Sequence, residues 1–238
     1  MNTLGIENNL DRPRIAKLLR FGIVGTLLVL IGDFLLGWAP VEGAEGALEV
    51  LVAPALSLPR ECVIAGMLLG VVGLPIQALS YFGVYRLMAD AAPGLAHFFR
   101  AGIFGYLAFG PLVHAATGAC VLVYQDMYAS DPALALSLAG DVFWWILVPS
   151  SALMFVSALP LVISQIRAFA GGFTPYPRWA AVFNMALGAL VFMTIGVIGA
   201  PAAWANGLGT AGVSFGNLLA FAGLLATLPK ELVRPGLS

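Results

Sequence analysis

Two ionisable side chains, Asp33 and His114, lie inside long apolar stretches of this sequence. A carboxyl group buried in a membrane helix costs roughly 2.5–3.5 kcal/mol on insertion scales, so it should face a bundle interior or a wet cavity. An imidazole is the side chain best suited to exchange a proton near neutral pH. If both groups faced one cavity, they could form an acid–base pair, a proton relay or the polar floor of a ligand pocket.

Further polar side chains lie at a similar depth below the predicted outer boundary of the membrane, counted along each helix at about 1.5 Å per residue. Asp33 is then about 7 Å deep and His114 about 13 Å deep. Tyr124, Asp141 and Ser214 are further polar candidates near that boundary. We predict a ligand-binding site formed by Asp33, His114, Ser150, Ser151, Asn217, Tyr106 and Trp145.

Each of these residues also has a purely structural interpretation. Asp33 is then a carboxyl satisfied by neighbouring donors, and His114 makes a hydrogen bond between helices. The two serines bond to carbonyls of their own helix, as membrane serines often do. Asn217 joins helices through its amide. Trp145 belongs to an aromatic belt at the membrane boundary.

The elements that position these side chains are long apolar segments. The chain has 238 residues, of which 61% are hydrophobic and only 10% charged, against about 25% charged in a soluble domain. A membrane-spanning helix needs about 20 apolar residues. We predict an all-α, polytopic membrane bundle in which one domain, residues 1–238, has six transmembrane helices, at about 18–38, 62–85, 101–123, 142–166, 179–200 and 208–228.

The charges predict how this bundle is oriented. Ten of the eleven Lys and Arg residues fall on the side of the two termini, Arg60 being the exception. The opposite side carries acidic residues, namely Glu42, Glu45, Glu49, Glu61, Asp126, Asp131 and Asp141. Because positive residues stay on the cytoplasmic side, both termini are predicted to be cytoplasmic, and the tail cations Lys230 and Arg234 fit this. The predicted localisation is the inner (plasma) membrane.

The segment that follows the first apolar stretch leaves two alternatives open. Residues 39–61 either form a short broken helix that covers the outer face as a lid, or a tethered loop without a role. The first stretch could also be a signal peptide, with Ala44 and Ala47 as a weak cleavage motif. Cleavage there would remove Asp33 from the mature protein.

Small residues recur at helical spacing within the predicted spans. Gly66 and Gly70 line one face of the second span, and Gly212 and Gly216 line one face of the sixth. Such faces let helix backbones come close, either within one bundle or between two copies as a homo-oligomer. Pro111 and Pro149 fall near mid-membrane, where a kink can open a cavity.

This sequence lacks the residues that several classes of function require. No glycine-rich phosphate loop is present, and two histidines on opposite sides cannot form a histidine-rich zinc site. We therefore expect no cofactor and no metal. The net charge of −1 gives no reason to expect nucleic acid as a partner. Cys62 and Cys120 lack a Cys-x-x-Cys motif and are either a disulfide bridge or two apolar thiols.

Scattered short motifs resemble known membrane proteins. The run Gly32-Asp33-Phe34-Leu35-Leu36-Gly37, with Pro177-Arg178-Trp179 and Gly216-Asn217, resembles uncharacterised bacterial six-helix membrane proteins classed as domains of unknown function. That resemblance implies a multi-pass membrane protein and no particular activity. The buried Ser, Asp and His are also similar to those of the alkaline ceramidase and adiponectin-receptor hydrolases. Those proteins have seven spans and a three-histidine zinc site, both of which this chain lacks.

Three hypotheses follow for the function. The first is binding or transport of a small amphipathic or lipid-like molecule in an outward-facing polar cavity, with membrane lipids as neighbours. The second is an intramembrane enzyme that modifies a lipid with Asp33 or His114 as acid or base. The third is a structural subunit of a membrane complex. A cavity that reaches both faces favours transport, a closed pocket favours catalysis, and a packed interior favours assembly.

Overall fold

A computed structural model of the chain describes residues 10–41 and 46–230, and every regular element in these residues is helical. The helices are α1 (Arg12–Gly37), α2 (Ala47–Val52), α3 (Arg60–Met88), α4 (Pro93–Tyr128), α5 (Pro132–Val142), α6 (Val148–Ala170), α7 (Met185–Gly199), α8 (Ala203–Thr210) and α9 (Gly212–Ala226). A 3₁₀ segment follows α2 (Ala53–Ser57), another precedes α7 (Arg178–Val182), and a π-helical turn (Phe143–Leu147) joins α5 to α6. Four residues used in the charge and cleavage predictions lie outside the described residues: Glu42, Ala44, Glu45 and Arg234.

Among the described residues, four helical segments are long and apolar enough to cross a membrane: α1, α3, α4 and the continuous segment Pro132–Ala170. The number becomes five if α8 and α9, which meet at a bend of 59°, form one span. The predicted all-α class, with several apolar helices of membrane length, is thus confirmed. The predicted number of six spans is not.

The difference lies mainly in the stretch predicted as the fifth span, residues 179–200. The 3₁₀ segment ends at Val182, and a new helix starts after Asn184, whose side-chain oxygen accepts hydrogen bonds from the backbone N–H groups of Ala186 and Leu187. Asparagine favours such a cap over a place inside a helix. The resulting α7 has 15 residues, which is about 22 Å and shorter than a hydrocarbon core of roughly 30 Å.

The third and fourth predicted spans are longer than expected, because their helices continue beyond the apolar residues. Helix α4 has 36 residues, or about 54 Å at 1.5 Å per residue. Near its end, Gln125 Nε2 donates to the carbonyls of Ala55 and Leu58 at 2.6 and 2.8 Å. These bonds hold residues 47–57, which form the broken helix that was one of the two alternatives for the segment after the first span. We call residues 47–57 the cap segment, and that end of the bundle the cap end.

The start of α1 and the residues after α9 meet at the opposite end of the bundle. Arg12 Nε donates to the carbonyl of Pro229 at 2.8 Å, which joins the start of α1 to the residues after α9. The Tyr176 hydroxyl, in the connection between α6 and α7, donates to the Leu224 carbonyl at 2.8 Å. Burial raises the pKa of Tyr176 above its ordinary value, so this hydroxyl stays protonated and able to donate.

Helices α1 and α3 pack through their backbones. A Cβ atom added to Gly25 would lie 2.2 Å from the backbone nitrogen of Gln77, and one added to Gly32 would lie 2.7 Å from the carbonyl oxygen of Gly66. No side chain fits between the two helices at these points. The contact therefore fixes the position of Asp33, the residue after Gly32, relative to α3.

The second glycine face forms a similar contact between α7 and α9. A Cβ atom on Gly216 would lie 2.2 Å from the Met185 carbonyl oxygen, and one on Gly188 would lie 2.6 Å from Gly216 Cα. Helix α9 packs on α1 as well. Both glycine faces thus contact helices of the same chain, and a homo-oligomer through them stays a prediction.

The two cysteines are free thiols. Cys120 is buried, and its Sγ lies 3.3 Å from the carbonyl oxygen of Ala139, to which it can donate. Cys62 is half-buried at the start of α3. Of the two alternatives left open by the sequence, the structure therefore has the two separate thiols.

The α1–α3 contact predicts the effect of a single methyl group. Gly25→Ala should lower the free energy of unfolding by about 1–3 kcal/mol, because backbone atoms have to move apart. Gly94→Ala is the matched control, since a Cβ at Gly94 meets nothing within 4 Å, and it should cause no loss. Thermal denaturation of the detergent-purified variants measures both, and equal stability of the two variants would contradict the contact.

Candidate functional site

A cavity of about 440 Å³ lies inside the bundle, bordered by α1, α3, α4, the π-helical turn, α6, α7, α8 and α9. Small-molecule sites typically have about 300–1,000 Å³. Its walls are mostly apolar side chains, such as Val29, Leu74 and Met154. The polar side chains that line it are Asp33, Tyr106, His114, Thr117, Ser151, Thr210 and Ser214. We call it the Asp33–His114 cavity.

Asp33 is buried and has a hydroxyl partner across the helix interface. Ser214 Oγ donates to Asp33 Oδ2 at 2.6 Å, a length typical of a hydroxyl bound to a carboxylate. Ser214 lies in the first turn of α9, just after the bend that separates α9 from α8. Asn206 Nδ2 in α8 donates to the Gly37 carbonyl at 2.8 Å. This bond ties α8 to the end of α1 and so helps to bring Ser214 to Asp33.

His114 faces the other oxygen of the same carboxyl group. Its Nε2 lies 3.7 Å from Asp33 Oδ1, which is too long for a hydrogen bond and leaves the pair to be bridged by another polar atom. The opposite edge of the ring packs on α3, since a Cβ atom on Gly70 would lie 2.1 Å from His114 Nδ1. The imidazole therefore has its place only because residue 70 has no side chain.

A second polar cluster lies behind the cavity. Asn217 is fully buried; its Nδ2 is 3.4 Å from the Tyr106 hydroxyl, and its Oδ1 accepts a short hydrogen bond from the Tyr81 hydroxyl. Tyr106 lines the cavity, whereas Asn217 does not. Asn217 thus contacts the cavity through Tyr106, in the position of a residue that orients it.

Of the three predicted site residues near the π-helical turn, one lines the cavity and two do not. Ser151 lines the cavity, but the Ser150 hydroxyl lies 2.7 and 3.0 Å from the carbonyl oxygens of Ile146 and Leu147 in its own helix. Trp145 is 79% exposed and lies outside the cavity lining. A π-helical turn holds an additional residue and turns the following side chains by about 100° relative to an α-helix. Counting along a regular helix therefore misplaces side chains here.

Thr117 and Thr210 line the cavity although the sequence did not single them out. Thr117 follows His114 by three residues, so both lie on one face of α4. That spacing was a usable signal. Thr210 offered none, because its position depends on the bend between α8 and α9.

The cap segment lies beside the cap end of the cavity. A smaller cavity of about 280 Å³ is lined by Ala47, Val50, Leu51 and Pro54 of this segment. It shares five lining residues with the Asp33–His114 cavity, namely Leu36, Thr117, Phe143, Leu147 and Thr210. The cap segment is therefore adjacent to the cavity at the cap end.

Within residues 10–41 and 46–230, no three His, Cys, Asp or Glu side chains are grouped so that they could hold a metal ion. The zinc site of the hydrolases that the sequence resembles has no counterpart among these residues. The chemistry available in the cavity is that of one carboxyl group, one imidazole and several hydroxyl groups.

The packing of His114 on Gly70 predicts a spectroscopic change. The chain has two histidines, and His97 is exposed at the start of α4, so histidine-labelled protein has an internal reference. In NMR spectra, Gly70→Ala should shift the His114 ring signals and leave those of His97 in place. Asp33→Asn should do the same, and unchanged His114 signals in both variants would contradict the geometry described here.

A search of curated proteins and a search of solved structures both find no match. A family profile matches residues 1–231, nearly the whole chain. The resemblance to an uncharacterised family is thereby confirmed. The chain belongs to DUF6796, a family of unknown function.

Proposed function

We propose that this protein is a membrane protein that binds a small amphipathic, lipid-like molecule in the Asp33–His114 cavity. The observation that carries the proposal is the distribution of polarity in the cavity. Asp33, His114 and Ser214 form one polar group, and apolar side chains supply most of the remaining wall. Such a cavity matches a molecule with a polar head and an apolar body.

The same pair of residues supports a second candidate, an enzyme that modifies a lipid within the membrane. Asp33 and His114 face each other across 3.7 Å, so one substrate atom could contact both. In this role one group would take a proton from that atom and the other would stabilise the charge that forms. The apolar walls would hold the substrate in the same way in both candidates.

We further propose that the chain crosses the inner (plasma) membrane six times and that both termini lie in the cytoplasm. Arg12 and Pro229 meet at one end, which supports an even number of crossings. The short α7 and the bent pair α8–α9 would then supply the fifth and sixth crossings. Irregular backbone is tolerated at membrane depth where protein surrounds it or it lines a cavity, and Gly209 and Thr210 do line the cavity.

The binding proposal predicts which variants lose a bound molecule. Asp33→Asn and Ser151→Leu should each reduce the amount of a specific lipid-like molecule retained by the purified protein, because one alters the polar group and the other fills the cavity. Trp145→Ala is the control and should retain it, since Trp145 lies outside the cavity lining. Native mass spectrometry of all three proteins, with the same detergent, makes the comparison. Equal retention by all three variants and the unmodified protein would refute the site.

The topology proposal predicts the accessibility of single cysteines. In a Cys62→Ala, Cys120→Ala background, Ser130→Cys at the cap end should react with a membrane-impermeant maleimide in intact cells. Gly94→Cys, at the opposite end, should react only after the membrane is opened. Both positions are exposed on the protein surface, so access depends on the membrane. The reverse labelling pattern would place the termini on the outer side.

A further inference from the structure

The Asp33–His114 cavity reaches the protein surface on one side of the bundle. Among the described residues, four that line it are exposed: Val148 (36%) and Phe155 (49%) from α6, Met193 (42%) from α7, and Thr210 from α8. The first three are apolar and lie on helices that face the lipid in the proposed bundle, whereas Thr210 also lines the smaller cavity beside the cap segment. The opening past the three apolar residues is therefore lateral, towards the acyl chains of a bilayer.

The arrangement of the helices explains this opening. Helix α6 packs extensively on α4 and, away from the cap end, on residues 178–182. Helix α9 packs on α1 and α7 instead. Among the described elements, α6 makes at most marginal contact with α7 or α9. A cleft thus separates α6 from α7 and α9, and Ser151 and Val213 line the cavity on either side of it.

The cavity also restricts the chemistry of a polar head. Among the residues that the structure describes, no Lys or Arg lines it, and its two ionisable side chains other than tyrosine are Asp33 and His114. A phosphate or carboxylate head would therefore enter an apolar space beside a carboxyl group without a fixed cation, which is unfavourable. A hydroxyl group meets no such penalty, because it both donates and accepts hydrogen bonds.

We infer that the cavity takes an uncharged, long-chain lipid with a free hydroxyl group, which enters through the cleft between α6 and α7 from within the bilayer. The hydroxyl oxygen lies to one side of Asp33 Oδ1 and His114 Nε2, within about 2.8 Å of both, and these two atoms, 3.7 Å apart, have no direct hydrogen bond to each other. The chain extends past Ser151 towards Phe155 and Met193. This inference rests on the proposed binding function and specifies its ligand class and route of entry.

Three probes with the same sixteen-carbon chain test the head group. They are hexadecanol, hexadecyl methyl ether and hexadecyl phosphate, each competing with a diazirine-labelled hexadecanol for the protein in phosphatidylcholine vesicles. Hexadecanol should compete at least about tenfold better than the ether, which lacks the donor, because an unsatisfied buried acceptor costs that much. It should also compete better than the phosphate.

The positions of the cross-links test the route. With the diazirine near the end of the chain, the label should appear on α6 and α7, near Phe155 and Met193. Met193→Trp should reduce this labelling several-fold by narrowing the cleft. The matched control, Val197→Trp, should not, because Val197 on the same helix is 78% exposed and does not line the cavity.

The outcomes separate the failure of this inference from the failure of the binding proposal. If the ether or the phosphate competes as well as hexadecanol, the inferred head group is wrong, while a lipid-binding cavity remains. If the labels appear on the cap segment instead of α6 and α7, the lateral route is wrong. If labelled hexadecanol shows no saturable labelling and none of the probes competes, the proposed binding function fails, and the inference fails with it.

Discussion

The backbone contact between α1 and α3 determines where the polar groups of the cavity lie. Lipid supplies no hydrophobic force between two apolar helices, so close packing has to hold them together. Gly32 lies against Gly66 and Gly70 of α3, and this contact directs the neighbouring Asp33 into the bundle. Gly70 also receives the ring of His114 from α4. One residue without a side chain therefore joins three helices and sets the distance between the carboxyl group and the imidazole.

The irregular parts of the backbone lie around the same cavity. The π-helical turn contributes Phe143 and Leu147 to its wall, and the bend between α8 and α9 is flanked by Thr210 and Val213. In a membrane, such departures from a regular helix are tolerated where protein or a cavity can satisfy the backbone. π-Helical turns are also frequent at functional sites. The fold thus concentrates its costly features, a buried carboxyl group and two interrupted helices, in one region.

Much of this arrangement could be predicted from the sequence, because charged residues are rare within apolar helices and glycines recur at helical spacing. Asp33, His114, Tyr106 and Ser151 were chosen by depth, and they do line one cavity. Depth follows from counting residues, but the direction of a side chain depends on the phase of its helix. The π-helical turn alters that phase, which is why Trp145 points away. The sequence does not predict the break at Asn184, because Asn184 is a single polar residue in an otherwise apolar stretch. Its cap bonds, which start a new helix, are seen only in the structure.

The cap segment distinguishes the two candidate functions more clearly than the Asp33–His114 pair does. A lipid that enters sideways needs only the cleft beside α6, so binding is possible with the cap segment in place. Hydrolysis would also need water to reach the cavity, and the cap segment borders the cavity at the cap end, where that water would come from. Gln125 holds this segment through two carbonyl groups, and Leu48 and Leu51 pack against the buried cluster around Phe143. Because the cap segment is held in this way, we prefer the proposed lipid-binding function to a hydrolytic one.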